Sequence, residues 1–211
     1  MNVMVVQTGS LQVNTYILHN ETSKEAVIID PGGNPGKIKR TLEEYGLTPK
    51  AVLLTHGHFD HIGAVKQMQE AYNPKVYIHE DDAELLTNPE MNLSAFFNGV
   101  PVTCNPADEM LHDGQVFEEA GMTFTVYHTP GHSMGSAVFL TEHAAFTGDT
   151  LFRMSIGRVD FSGSDDEKMK VSLQRLKDII PGTHHIFPGH GEKSTFEYEL
   201  SHNPYLTGWI E

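Results

Sequence analysis

The chain has 211 residues, 39% of them hydrophobic, which suits one globular domain over residues 1–211 with a sizeable core. Its formal net charge of −14, from 28 acidic against 14 basic residues, argues against a nucleic-acid or anionic-membrane partner, because both need clustered Lys and Arg. No run approaches the ~18 apolar residues of a membrane span, residues 1–10 lack a signal-peptide pattern, and the single cysteine, Cys104, allows no intrachain disulfide, so a cytoplasmic protein is expected.

The first third reads as short apolar strands separated by turns. Asn14–Leu18 and Ala26–Ile29 are β-branched runs with polar flanks, and the second ends in the turn signal Asp30-Pro31-Gly32-Gly33. Lys37–Tyr45 carries apolar residues at helical spacing and stops at Gly46. Ala51–Leu54 reads as a buried strand that runs straight into Thr55-His56-Gly57-His58-Phe59-Asp60-His61. A helix is expected over Ile62–Tyr72, a strand over Lys75–Ile78 and a short helix over Asp81–Thr87. Asn88–Asp113, with its three prolines, reads as loop. Thr123–Tyr127, Ala137–Leu140, Ala144–Thr147 and His185–Phe187 read as strands. Glu167–Ile180 is the clearest amphipathic helix, and a last helix starts at Ser194. Mixed strands and helices without repeats predict an α/β domain with helices packed on sheets.

The 13 histidines matter by position. His56, His58, Asp60 and His61 fall within six residues, directly after a buried strand. Alternate residues of an extended segment point the same way, so His56 and His58 can face one point. Asp60 and His61, on the turn into a helix, can face a second. Imidazoles with a carboxylate suit zinc, iron or manganese rather than calcium. Three later segments repeat the pattern of apolar strand, glycine turn and one good ligand: Tyr127–Ser133 with His132, Phe146–Thr150 with Asp149, and Phe187–Gly191 with His190. Ligands at strand ends are ligands a rigid scaffold can converge.

His-x-His-x-Asp-His followed by Gly-His, Gly-Asp and Gly-His, with Asp30 upstream, resembles the metallo-β-lactamase superfamily over nearly the whole chain. The resemblance implies a four-layer αββα sandwich with a two-metal site at one edge of the sheets. It implies that His56, His58 and His132 bind one ion, that Asp60, His61 and His190 bind the other, and that Asp149 bridges them. Two divalent ions are expected, with zinc first and iron or manganese as substitutes. Gly148-Asp149-Thr150-Leu151-Phe152-Arg153, Ser155-Ile156-Gly157-Arg158 and Thr129-Pro130-Gly131-His132-Ser133 are similar to the glyoxalase II group, which hydrolyses acylglutathione thioesters. The chain ends soon after His190, so it looks like the short hydrolases of that group that lack the C-terminal helical domain.

That resemblance implies a small acyl thioester as substrate, such as S-lactoylglutathione or another glutathione conjugate, attacked by a hydroxide bridging the two ions. Asp60 and Asp149 are then the catalytic carboxylates, with Asp60 orienting the hydroxide. Asp30 is read as a group behind a ligand, and Arg153 as a contact for a substrate carboxylate. His79 and His128 are read as packed residues or as groups behind a ligand, and not as ligands. Gly157-Arg158-Val159-Asp160-Phe161 also matches a stretch of persulfide dioxygenases, which use one iron, so that activity is an alternative. A non-enzymatic metal sensor is another, opposed by the complete ligand set. Asp149 argues against a β-lactamase, because lactamases of this fold commonly place cysteine there. With no Gly-x-Ser-x-Gly elbow and Cys104 in an unpromising loop, no protein nucleophile is expected.

Overall fold

The computed structural model of the protein describes residues 1–97 and 99–208. The first six strands form one sheet in chain order: β1 (Asn2–Thr8), β2 (Val13–His19), β3 (Glu25–Ile29), β4 (Thr48–Leu53), β5 (Lys75–His79) and β6 (Glu109–Leu111). The last six form a second sheet: β7 (Val116–Glu119), β8 (Met122–His128), β9 (Ala137–Leu140), β10 (Ala144–Gly148), β11 (His185–Pro188) and β12 (Ser194–Thr195). The helices are α1 (Pro35–Tyr45), α2 (Phe59–Ile62), α3 (Val65–Tyr72), α4 (Ser94–Phe97), α5 (Asp166–Ile179), α6 (Phe196–His202) and α7 (Pro204–Thr207).

Strand alternation sorts the side chains into three apolar layers. In β3, Ala26 and Ile28 face one cluster with Ile38, Leu42 and Met68 of α1 and α3, while Val27 and Ile29 face the other way. Val27, Ile29, Ala51 and Leu53 meet Phe124, Val126, Phe139 and Phe146 of the second sheet. Behind that sheet, Val138, Ala145 and Ile186 pack on Met169, Leu173 and Leu176 of α5. Three apolar seams make four layers, helix–sheet–sheet–helix, as expected. Stretches buried on both faces of a sheet are apolar at successive positions, which is why Ala26–Ile29 of β3, Ala51–Leu53 of β4 and Ala144–Phe146 of β10 are plain in the sequence.

Several boundaries differ from the sequence reading. The expected helix Ile62–Tyr72 is two, α2 and α3, because Gly63 presses against the Gly32 carbonyl with no room for a Cβ. The Ala64 N–H there turns to the Pro31 carbonyl at 2.8 Å instead of a helical partner. Asp81–Thr87 is a 3₁₀ segment over Glu80–Leu86, and the Asn88–Asp113 loop contains α4 and β6. Ser194 and Thr195 pair with β11 before α6 begins. Strands β1 and β7 went unread. Both carry exposed residues along one face, so neither shows the continuous apolar run of a central strand. No described helix is long and apolar enough to cross a membrane.

Candidate metal centre

Each candidate ligand follows the C-terminal end of a strand. Asp30 follows β3, His56 to His61 follow β4, His132 follows β8, Asp149 follows β10 and His190 follows β11. These ends meet at one edge of the sandwich. Backbone hydrogen bonds tie them together: Ala137 N–H to Thr55 O at 2.8 Å, Gly189 N–H to Gly148 O at 2.8 Å, and Asn14 N–H to Gly189 O at 2.8 Å. The side chain of Gly189 is missing for a reason. A Cβ there would collide with the Asp149 carboxylate and lie 2.7 Å from the His61 ring.

All seven residues named as metal ligands from the sequence converge. His56, His58 and His132 form one group, His56, His61 and Asp149 a second, and Asp60, His61 and His190 a third, with ligand atoms of each group within 4.8 Å of one another. Asp149 lies between the groups. Its Oδ2 is 3.5 Å from His132 Nε2 and 3.5 Å from His190 Nε2, and its Oδ1 is 3.3 Å from His61 Nε2. His190 Nε2 is also 3.4 Å from Asp60 Oδ2, and His58 Nδ1 faces His132 Nε2 at 2.9 Å.

The rings are held from behind. His61 Nδ1 donates to Asp30 Oδ2 at 3.0 Å, His132 Nδ1 to the Arg158 carbonyl at 2.9 Å and His190 Nδ1 to the Leu11 carbonyl at 3.1 Å. In the neutral ring each donation leaves the Nε2 lone pair facing the centre, the arrangement that orients imidazole ligands in metal sites. Asp30 is fixed in turn by the Thr55 N–H at 2.8 Å and the Thr55 hydroxyl at 2.6 Å. Its backbone sits in the left-handed region, φ 49°, which Asp tolerates better than most residues.

Three buried atoms in the cluster, His56 Nε2, His61 Nε2 and Asp149 Oδ1, have no hydrogen-bond partner. A buried polar atom left unpaired costs about 1–3 kcal/mol, and three in one cluster fit bound cations that these atoms would ligate. The protonation balance says the same. Burial lowers His61, yet Asp149, Asp60 and Asp30 outweigh it and hold the ring well above the ordinary histidine range. Burial raises the Asp149 and Asp60 carboxyls, yet the neighbouring imidazoles, His61 first, pull both down. Burial, seconded by His132, pushes His58 down to about 3. The carboxylates thus create a field that demands positive charge, while burial keeps His56 and His58 neutral. The residues therefore fit divalent metal binding.

Two further residues were placed differently or missed. Arg153 does not reach the cluster: its guanidinium pairs with Glu192 and lies 5.6 Å over the Tyr198 ring, in a separate depression with Tyr16 and Lys193. Its neighbour in sequence, Arg158, lines the metal cleft instead. Asp82 escaped sequence reading altogether. Fully buried, it accepts from the Gly57 N–H at 2.8 Å, the Gly135 N–H at 2.6 Å and the Ser133 hydroxyl at 2.7 Å. It thereby clamps the His56–His58 loop to the His132 loop. Cys104 is also buried, and that burial pushes its thiol up to about 12, so it offers no thiolate.

Comparison with known proteins agrees with this geometry. A family model described as the metallo-β-lactamase superfamily matches residues 8–190. Hydroxyacylglutathione hydrolase GloC of Haemophilus influenzae is 33% identical over 222 residues, covering 98% of each chain. The crystal structure of BLEG-1 B3 metallo-β-lactamase superposes with a TM-score of 0.94 at 40% identity, covering 98% of this chain and 100% of that one. The crystal structure of TTHA1623 in a di-iron-bound form gives a TM-score of 0.85 at 38% identity, covering 97% and 100%.

Proposed function

We propose that this chain, which belongs to the metallo-β-lactamase superfamily, is a two-metal hydrolase of acyl thioesters such as S-lactoylglutathione. The observation that carries the reading is the Asp149 carboxylate set between His132, His190 and His61 at 3.3–3.5 Å, beside three unpartnered buried ligand atoms. In this reading His56, His58 and His132 hold one ion, Asp60, His61 and His190 the other, and Asp149 both. When bound, the ions polarise the substrate carbonyl and lower the pKa of water at the site to about 7.

The chain's own residues then have distinct tasks. Asp60 stays ionised because the adjacent imidazoles outweigh its burial, so its carboxylate can accept a hydrogen bond from the attacking water and aim it. Asp30, Arg158 O and Leu11 O hold three imidazoles in the tautomer that faces inward. Water adds to the thioester carbon, the carbon–sulfur bond breaks, and a carboxylic acid and a thiol leave. Thiolates depart readily, so no strong general acid is required, and among the described residues lining the cleft none stands besides the ligand histidines. Zinc is the proposed metal, and the di-iron form of a 38% identical protein supports iron as the substitute.

The GloC relative makes S-lactoylglutathione the first substrate to test. Metal-replete protein should consume its thioester absorbance, and a chelator should abolish that turnover. Absence of turnover of S-lactoylglutathione and of neutral acyl thioesters alike, with both metals bound, would overturn the thioester reading. A second reading, β-lactam hydrolysis, is favoured by the 40% identical BLEG-1 protein. Turnover of a chromogenic β-lactam in place of any thioester would establish it.

A further inference from the structure

Beside the metal centre lies a second cleft, of about 650 Å³, which nothing above uses. That is within the roughly 300–1,000 Å³ of small-molecule sites. Its walls are apolar: Leu85, Met91, Leu93, Phe96, Phe97 and Phe161 line it. Leu93, Phe97, Phe161 and the ligand His58 belong to both this cleft and the metal cleft, so the two are continuous. Phe161 stands edge-on to both His58 and His132, with centroids 5.3 and 5.2 Å away.

The exposure on this wall is unusual. Phe96 is 69% exposed, Phe97 66% and Met91 42%. Contiguous exposed apolar side chains next to a reactive centre mark a binding surface. The charges decide what kind. Among the described residues the cleft is lined by no Lys or Arg, while Asp81, Asp82 and Glu90 line it. Asp82 is consumed by its three hydrogen bonds, but Asp81 and Glu90 are exposed at the rim. In the metal cleft the one guanidinium, Arg158, is already paired through two hydrogen bonds, 2.8 and 3.1 Å, with Asp160. Lys168 touches Met134 Sδ at 3.3 Å but lines a different depression with Pro130 and Arg175. A glutathionyl group carries two carboxylates and one ammonium, and its carboxylates meet no Lys or Arg among the described residues lining this cleft. An uncharged hydrocarbon arm finds a wall of seven apolar side chains, Met134 among them.

We propose that this cleft is a specificity site for an uncharged, apolar arm of the substrate, an alkyl or aryl chain of about six to eight carbons attached next to the reacting carbonyl. The inference rests on the thioester reading and narrows it: S-lactoylglutathione stands at the slow end of the substrates, and neutral acyl thioesters with longer chains at the fast end.

The test uses metal-loaded protein and N-acetylcysteamine thioesters from butyryl to octanoyl. Each buried methylene contributes roughly three- to fourfold, so kcat/KM should rise about a hundredfold across the series. Phe97→Ser combined with Met91→Ser, both at exposed side chains, should cut that ratio to less than about tenfold. A second series, with the acetyl group fixed and the S-alkyl chain lengthened, serves as the control: a rise confined to it would overturn the acyl-side placement of the arm. Flat kcat/KM in both series would overturn the cleft while leaving the thioesterase standing. Binding supplies a readout free of catalysis. Octanamide should bind at least about tenfold tighter than butanamide and shift the methyl resonances of Leu85 and Met91. If no thioester is turned over but that binding is seen, the cleft stands and only the thioester reading falls. Equal binding of the two amides would then overturn the cleft as well.

Discussion

Two groups of imidazoles and carboxylates lie on this molecule, and they are built differently. At the metal centre, side chains from four strand ends turn their ligand atoms toward one another, and three of those atoms have no hydrogen-bond partner. Elsewhere, His79 at the end of β5, His128 at the end of β8 and Asp81 also bring three ligand atoms within 4.8 Å. There the two rings lie face to face, centroids 3.9 Å apart and planes 12° from parallel. Imidazole lone pairs lie in the ring plane, so parallel stacked rings do not aim at one ion. Their nitrogens are also engaged: His79 Nδ1 accepts from the Asp81 N–H at 3.3 Å, and His128 Nε2 donates to the Met134 carbonyl at 2.7 Å. Proximity of ligand types is common to both groups. Convergent lone pairs and unpaired buried atoms belong to one.

The largest effect expected from this contrast is at Asp149. Asp149→Ala should lose most bound metal and lower hydrolysis by roughly 10³-fold or more, beyond the 10–100-fold that a partner behind a ligand costs. Metal content by mass spectrometry and turnover would be read together, and unchanged turnover would break the two-metal assignment. Asp30→Asn is the next step down. It keeps the shape and tolerates the left-handed backbone, but it replaces an acceptor facing His61 Nδ1 and Thr55 with an amide that cannot satisfy both. Metal affinity should fall about 10–100-fold, with the fold intact by circular dichroism. Affinity equal to that of the unaltered protein would mean that His61 does not depend on Asp30 for its orientation. His128→Ala should leave both metals at full occupancy and cost about 1 kcal/mol of stability, through the lost hydrogen bond to Met134. If that variant loses one metal, the stacked pair has been wrongly set apart from the centre.

The sequence made the ligands legible because each sits beside a feature with a local signature. β3, β4 and β10 contain the apolar runs Ala26–Ile29, Ala51–Leu53 and Ala144–Phe146, and a histidine or aspartate soon after such a run is conspicuous. Asp82 has no such signature. It is one of three consecutive acids, Glu80-Asp81-Asp82, which read as a solvated helix start, and its partners lie 25, 51 and 53 residues away. The break between α2 and α3 depends on a contact with Gly32 about thirty residues earlier. Arg153 and Arg158 look alike in sequence, and only the path of the chain after Asp149 decides which one borders the cleft. The apolar cleft is hidden for a similar reason: α4 is one turn in a loop rich in proline, and its importance lies in what it faces.

The smallest expected effect tests the stacked pair by pH. Burial, with His128 adding to it, lowers His79 below the ordinary histidine value. The unfolded chain takes up a proton near pH 6.5, whereas the folded chain holds His79 neutral to lower pH. The unfolded state therefore binds more protons in that window, and stability from His79 is full above pH 6.5 and declines as pH falls toward the folded value. Between pH 7.5 and 5.5 the loss from one such group is at most about 1.4 kcal/mol. Other buried histidines titrate too, so the informative quantity is a difference. His79→Asn in the metal-loaded protein, where the ligand rings are held neutral by the metal, should lose less stability over this interval than the unaltered chain does. Denaturant midpoints at the two pH values supply the comparison. Identical losses would show that the His79 ring gains no neutral-state advantage from its place against His128, and that the stack is packing without an electrostatic consequence.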